Sequence, residues 1–248
     1  MTFIAHISDL HVGTKGFNKD SLLYIVDEIN SLKPDLIVLT GDLTEKGYYS
    51  EYLEVVEYLN LFKSPLFSIP GNHDSRNVGN ESFEEIIGER NWARKIDNGE
   101  EMLLIGLDSS EPDIDEGHVG RAQQIWMENI LDEAVTHSLF SIVAIHHHVI
   151  PIPSTGREKS VLSDAGDVLK SLIDNNVDIV MCGHRHVPYL WKFENTLFIS
   201  AGTTSSTKLR GKSLNSFNTY DITENRVDAI LNQIDGAKIS LGNLKRAF

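Results

Sequence analysis

Short apolar runs alternate along the chain with longer stretches in which apolar residues recur every three or four positions. FIAHIS (3–8), LIVLT (36–40), LFSIP (66–70), MLLIGL (102–107), FSIVAI (140–145), DIVMC (178–182) and TLFIS (196–200) have the length and composition of strands. Between them, residues 18–32, 48–61, 81–90, 121–136 and 160–175 carry helical spacing. This alternation predicts an α/β fold. After residue 200 the pattern changes. SFNTYDI (216–222) and RVDAILN (226–232) flank the turn TEN and predict an antiparallel pair. No repeat, low-complexity segment or linker interrupts the chain. The economical reading is one domain over 1–248, with 201–248 as a C-terminal β extension.

Length and charge narrow the partners. A chain of 248 residues, 41% apolar, can bury a substantial core. No window stays apolar for the roughly 18 residues a membrane span needs, and no signal-peptide pattern precedes the first strand. The single Cys182 excludes an internal disulfide and fits a reducing cytoplasm. A formal net charge of −14 argues against a nucleic-acid surface, which would cluster Lys and Arg. It directs attention to a small anionic substrate held by local positive charge, which a bound metal would supply. The oligomeric state is left open, a dimer included.

Chemistry concentrates where predicted strands end. The first strand runs into Asp9-Leu10-His11 and the second into Gly41-Asp42. The third runs into Gly71-Asn72-His73-Asp74, FSIVAI into His146-His147-His148, and DIVMC into Gly183-His184-Arg185-His186. Seven of the ten histidines fall in these positions, the edge at which α/β sheets bind ligands. On extended backbone, i and i+2 side chains share a face, so Asp9 pairs with His11 and His184 with His186. A mixture of carboxylate, amide and imidazole suits Mn, Fe, Zn or Ni better than Ca or Mg. Six or seven ligands are too many for one ion and right for two, a known device for phosphoryl hydrolysis. In the histidine run, His146 and His148 share one face and His147 the other, and parity does not choose between them. His6, inside the first strand, reads as a hydrogen-bonded core residue and His137 as a solvated helix end. His118, in the loop EGHVG, either reaches the site or does nothing.

The combination of DLH, GD, GNHD, a histidine run after a strand, and GHRH resembles the calcineurin-like metallophosphoesterase superfamily. GNHDSR and LDSS before QIWMENIL resemble its bacterial and archaeal cyclic-nucleotide phosphodiesterase group. The resemblance implies a four-layer α-β-β-α sandwich, two mixed sheets with helices outside. It implies one metal on Asp9, His11 and His186, and a second on Asn72, His146 and His184. Asp42 would bridge them together with a water or hydroxide. Mn or Fe is favoured, with Zn and Ni as alternatives. His146 takes the ligand position because it is the first histidine of the run. His73 would act as the catalytic acid or stabilise charge on the leaving oxygen, with Asp74 a candidate to orient it. Asn72, His73, Arg76 and His147 are the candidate substrate contacts. His148 and Val149 stand where the family commonly has two prolines, which leaves the shape of loop 147–158 open.

The expected activity is hydrolysis of small phosphodiesters, cyclic nucleotides among them. The alternatives on the same metals are a nuclease, a phosphomonoesterase or a nucleotide pyrophosphatase. A more remote one is a non-catalytic binding scaffold, as in a retromer subunit of this fold that lacks the catalytic histidine. Loops 75–82, 109–120 and 148–160 would form the walls that choose the substrate.

Overall fold

The structure, a computed structural model, describes residues 1–97, 101–153, 155 and 162–245. In chain order the described elements are β1 (Thr2–Ile7), α1 (Lys19–Leu32), β2 (Leu36–Thr40), α2 (Tyr49–Leu59), β3 (Leu66–Ile69) and α3 (Gly79–Ile86). There follow β4 (Trp92–Asp97), β5 (Glu101–Leu107), α4 (Arg121–Thr136), β6 (Phe140–Ile145), α5 (Ala165–Asp174) and β7 (Ile179–Cys182). The chain ends with β8 (Tyr189–Phe193), β9 (Thr196–Ser200), β10 (Ser216–Thr223), β11 (Arg226–Gln233) and β12 (Lys238–Lys245). One sheet has the order β12-β11-β10-β1-β2-β3 and the other β4-β5-β6-β7-β9-β8. Both are mixed: β1, β2 and β3 run parallel while β10 joins β1 antiparallel, and β5, β6, β7 and β9 run parallel between antiparallel edges.

Period-two alternation explains why the central strands read as continuous apolar runs. In β2, Leu36 and Val38 face one cluster while Ile37 and Leu39 face another. In β5, Met102 and Leu104 face the first and Leu103, Ile105 and Leu107 a third. The shared cluster, with Ile4, Ile142, Ile179, Leu197 and Tyr220, is the layer between the two sheets. The others join one sheet to α1, α2 and α3 through Leu22, Ile25, Tyr52 and Phe83, and the other to α4 and α5 through Met127, Leu131, Val168 and Leu172. Strands buried on both faces have no polar side to show. The result is the four-layer sandwich expected from the resemblance.

Three strands were not expected: β4, β8 and β12. Each lies at the edge of its sheet, and edge strands carry charge and exposed positions that blur alternation. β4 reads WARKID and β12 KISLGNLK. The expected helix over 81–90 is shorter and earlier, Gly79–Ile86, and the one over 160–175 is seen as Ala165–Asp174, residues 160 and 161 lying outside the described set. The expected pair 216–222 and 226–232 is β10 and β11, and β10 places it beside β1 in the first sheet. No helix among the described residues is long and apolar enough to cross a membrane.

The C-terminal ends of β2 and β3 come together at glycines. A Cβ on Gly71 would lie 2.2 Å from Asp42 Oδ1 and 2.5 Å from Asp42 N, and Gly41, at φ +84°, backs onto Gly71. No side chain fits between these loops. Gly71→Ala should therefore cost about 1–3 kcal/mol through forced separation, read as a drop of several degrees in Tm. A variant as stable as the parent would show that the two loops part freely.

Candidate metal centre

The loops after β1, β2, β3 and β7 line one pocket of about 390 Å³ with His11, Asp42, Asn72, His73, His184 and His186, and the loop after β6 places the buried His146 behind it, against Asn72 and Asp42. The i, i+2 argument does not describe how they converge. Asp9, His11, Asp42, His184 and His186 all have positive φ, between 53° and 70°, so none sits on extended backbone. Such positions are strained and collect at functional sites. Here the strain is held by a run the sequence reading did not use, Thr203-Thr204-Ser205-Ser206, whose side chains are fully buried. Thr203 Oγ1 donates to Asp9 O at 2.7 Å and Ser205 Oγ to Leu10 O at 2.9 Å. From the other side, Asp9 N–H donates to Gly41 O and His11 N–H to Asp42 O, both at 3.0 Å.

Hydrogen bonds fix which nitrogen of each ring faces inward. His11 Nδ1 is 2.9 Å from Glu45 Oε2, His146 Nδ1 2.6 Å from Thr40 O, and His186 Nδ1 2.9 Å from Lys208 O. Each of those partners only accepts, so each Nδ1 carries the proton and each Nε2 is left with a lone pair. Those lone pairs point at other acceptors. His11 Nε2 lies 3.0 Å from His186 Nε2 and 3.5 Å from Asp42 Oδ2, and His186 Nε2 lies 3.2 Å from Asp9 Oδ1. His146 Nε2 lies 3.2 Å from Asn72 Oδ1 and 3.4 Å from Asp42 Oδ2. His184 Nε2 has no hydrogen-bond partner among the described residues, so its Nδ1, 3.0 Å from Asn72 Oδ1, either donates to that oxygen or faces a cation with it. The Asn72 amide is oriented by its Nδ2, which donates to Asp115 Oδ1 at 3.2 Å. Such converging atoms repel unless a proton or a metal cation lies between them. Two such foci exist, and Asp42 Oδ2 stands at both. The donor chemistry thus fits two metal ions.

The remaining candidates separate. His73 has its backbone N–H on Asp42 Oδ1 at 2.9 Å and its Nδ1 on Glu45 O at 2.7 Å, which leaves Nε2 unengaged. Burial, with the charges of His11 and Arg76, holds its pKa below the ordinary value against the pull of Asp42. Asp74 does not orient it. That carboxylate accepts from Gly71 N, Leu43 N, Thr44 N and Thr44 Oγ1, clamping the β2 and β3 loops together. Arg76 pairs with Asp115 and lies 3.2 Å from His73 Nδ1. His147 stands beside His146 and His184, close enough to complete a three-imidazole cluster. Both its nitrogens are engaged, however, Nδ1 by Ser109 Oγ at 2.8 Å and Nε2 by Asp115 O at 3.2 Å. Burial and the neighbouring His146 charge push it down to about 3, so it stays neutral. His148 is buried and stacks on His184, and its Nδ1 has no hydrogen-bond partner among the described residues.

Outside the centre, His6 is the core residue expected, bonded to Tyr220 Oη and Thr40 Oγ1 at 2.8 and 2.9 Å. His137 caps α4 in solvent. His118 lies on Ser163, 46% exposed, and lines no part of the pocket. The sequence reading missed Glu45, Asp115, Lys208 and Arg210. None follows a strand directly, and each enters through contacts distant in sequence. Of the expected wall loops, 75–82 and 109–120 are described, whereas residues 154 and 156–160 of the third lie outside the described set.

A sequence profile of the calcineurin-like phosphoesterase family matches residues 4–188, and the chain belongs to that family. It is 29% identical over 196 residues to a probable glycerophosphodiester phosphodiesterase of Arcobacter nitrofigilis, which covers 74% of this chain and 71% of the relative. It is 24% identical to a 3′,5′-cyclic-nucleotide phosphodiesterase of Nostoc over 81% of this chain and 77% of the relative. A dimetal phosphatase from Danio rerio shares the fold, with a TM-score of 0.74 at 14% identity over 97% of this chain and 98% of that one.

Protonation gives a direct test of the cation reading. Burial disfavours charge on His11 and His146, but Asp9 and Glu45 outweigh it for the first and Asp42 for the second, raising them to about 10 and about 9. At about pH 7 both would carry an extra proton unless a cation takes its place. Metal binding should therefore release protons, and affinity should rise from about pH 6 to pH 8. Calorimetric titrations in buffers of different ionisation enthalpy measure the release. Buffer-independent heats would rule out these rings as ligands.

Proposed function

We propose that the protein is a dinuclear metal-dependent phosphodiesterase acting on small diesters, cyclic nucleotides or glycerophosphodiesters among them. The observation that carries this reading is the pair of foci sharing Asp42, at which imidazole, carboxylate and amide groups converge. Asp9, His11 and His186 would hold one ion and Asn72, His146 and His184 the other, with Asp42 between. Mn or Fe is the preferred pair, the mixed oxygen and nitrogen donors equally admitting Zn or Ni. When bound, the cations supply the charge that neutralises phosphate oxygens and make water acidic enough to attack near neutral pH.

The chain's own residues do the rest. His73 presents Nε2 to the pocket while Glu45 O holds the opposite nitrogen, so the ring can pass a proton to the departing oxygen or stabilise charge there. Arg76 stands beside it to contact substrate. A diester monoanion suits a site whose positive charge would come mainly from two cations, whereas a monoester dianion would resemble the product and be held too tightly. The full set of seven side chains and His73 argue against the scaffold alternative, and the acidic chain against a nuclease. We take residues 1–248 as one domain, because β8 to β12 complete both sheets beyond the residues matched by the family profile. The buried Cys182 thiol is in keeping with the cytoplasm.

A panel with added Mn²⁺ tests the assignment: a chromogenic diester, a chromogenic monoester, cyclic AMP, 2′,3′-cyclic nucleotides and single-stranded DNA. The diester should turn over faster than the monoester, and the reverse order would overturn the assignment. His73→Ala should keep both metals and lose roughly 10²–10⁴-fold in rate. That loss should shrink for nitrophenolate leaving groups and be full for a sugar hydroxyl. An equal loss across leaving groups would assign His73 to phosphate binding alone.

A further inference from the structure

His11, His73, His146 and His186 each have Nδ1 held by an acceptor, and one residue outside the expected ligand set is involved at two of these rings. The Glu45 carboxylate takes His11 Nδ1–H at 2.9 Å, and the Glu45 backbone carbonyl takes His73 Nδ1–H at 2.7 Å. The two rings meet edge to face, with centroids 4.6 Å apart. Glu45 is itself fixed: its N–H donates to Val12 O at 2.9 Å, and its other carboxylate oxygen accepts from Lys208 Nζ at 2.8 Å. Lys208 in turn holds His186 through its backbone carbonyl. One ion pair thus joins the two segments on which His11, His73 and His186 hang. The other focus is built differently: His146 Nδ1 is held by Thr40 O, a neutral acceptor.

We propose that Glu45 is a positioning residue for one metal centre only, the one formed by Asp9, His11 and His186, and that it makes the two centres unequal. The inference rests on the dinuclear reading above. An acceptor behind an imidazole fixes the tautomer and raises the basicity of the nitrogen that ligates, and an anionic carboxylate does so more strongly than a neutral carbonyl. Its charge is therefore delivered to His11 and has no counterpart behind His146. The hydrogen bond to His73 comes from the Glu45 backbone and survives a side-chain substitution, which removes at that ring only the longer 3.6 Å approach of the carboxylate.

Zn²⁺ titrated into metal-stripped protein under chelator competition tests this without any substrate. Wild type should show two sites. Glu45→Ala should weaken one of them by roughly 10–100-fold and leave the other within about threefold. Glu45→Gln, whose amide oxygen still accepts from His11 Nδ1–H but brings no charge, should recover only part of the loss. A second readout holds even if the alanine variant unfolds: in ¹H–¹⁵N spectra of the Zn-loaded protein, the His11 Nδ1 proton should lie far downfield and move upfield in Glu45→Gln. Equal affinities at both sites in wild type and Glu45→Ala, or an unmoved resonance in Glu45→Gln, would overturn the role of Glu45. Wild type that binds fewer than two ions would instead overturn the dinuclear reading.

Discussion

Two lone pairs cannot face each other across about 3 Å without a positive charge between them. That constraint organises this molecule. His11 Nε2 and His186 Nε2 stand 3.0 Å apart with both Nδ1 protons committed elsewhere. Asn72 Oδ1 faces His146 Nε2 and His184 Nδ1 at 3.2 and 3.0 Å. A folded chain tolerates such an arrangement only where a proton or a metal cation lies between the two atoms. The sandwich makes it possible, because β1, β2 and β3 of one sheet and β6 and β7 of the other deliver their C-terminal ends to the same place. Neither sheet alone holds a complete focus: Asp9 and His11 come from the first and His186 from the second, Asn72 from the first and His146 and His184 from the second.

Rigidity is the second requirement. Left-handed backbone at Asp9, His11, Asp42, His184 and His186 costs on the order of 1 kcal/mol or more at each position, and that cost has to be met by contacts that hold only this conformation. The hydroxyls of Thr203 and Ser205, the backbone ladder from Gly41 to Leu43 and the fourfold clamp of Asp74 provide them. All are buried, where a hydrogen bond left unmade costs about 1–3 kcal/mol. The acceptors are therefore aimed before any ion or substrate arrives.

The sequence carried the centre of the fold and lost its margins for one physical reason. Strands buried on both faces are apolar at nearly every position, as in LIVLT and FSIVAI, and stand out from any background. β4, β8 and β12 sit at sheet edges, where Arg94, Lys95, Lys192 and Lys238 interrupt the alternation. The site divides in the same way. Ligands that closely follow β1, β2, β3, β6 and β7 were legible from residue type and position, although the extended-backbone argument for pairing them was wrong. Which nitrogen each ring turns inward was not legible, because it depends on Glu45, Thr40 O, Lys208 O and Asp115, none of them identifiable from local spacing.

The histidine run shows how far those distant contacts decide chemistry. His146, His147 and His148 are adjacent, buried and identical in type, yet they differ in what holds them. Thr40 O takes the Nδ1 proton of His146 and turns its lone pair to the pocket. Ser109 and Asp115 O occupy both nitrogens of His147. His148, pushed down to about 4 by burial and by the charges of Arg185 and His146, stays neutral against the His184 ring. Residue identity supplies only the capacity to ligate. The hydrogen bond on the far side of the ring decides whether that capacity is used, and in this fold that bond comes from a strand or loop that the ligand's own segment does not contain.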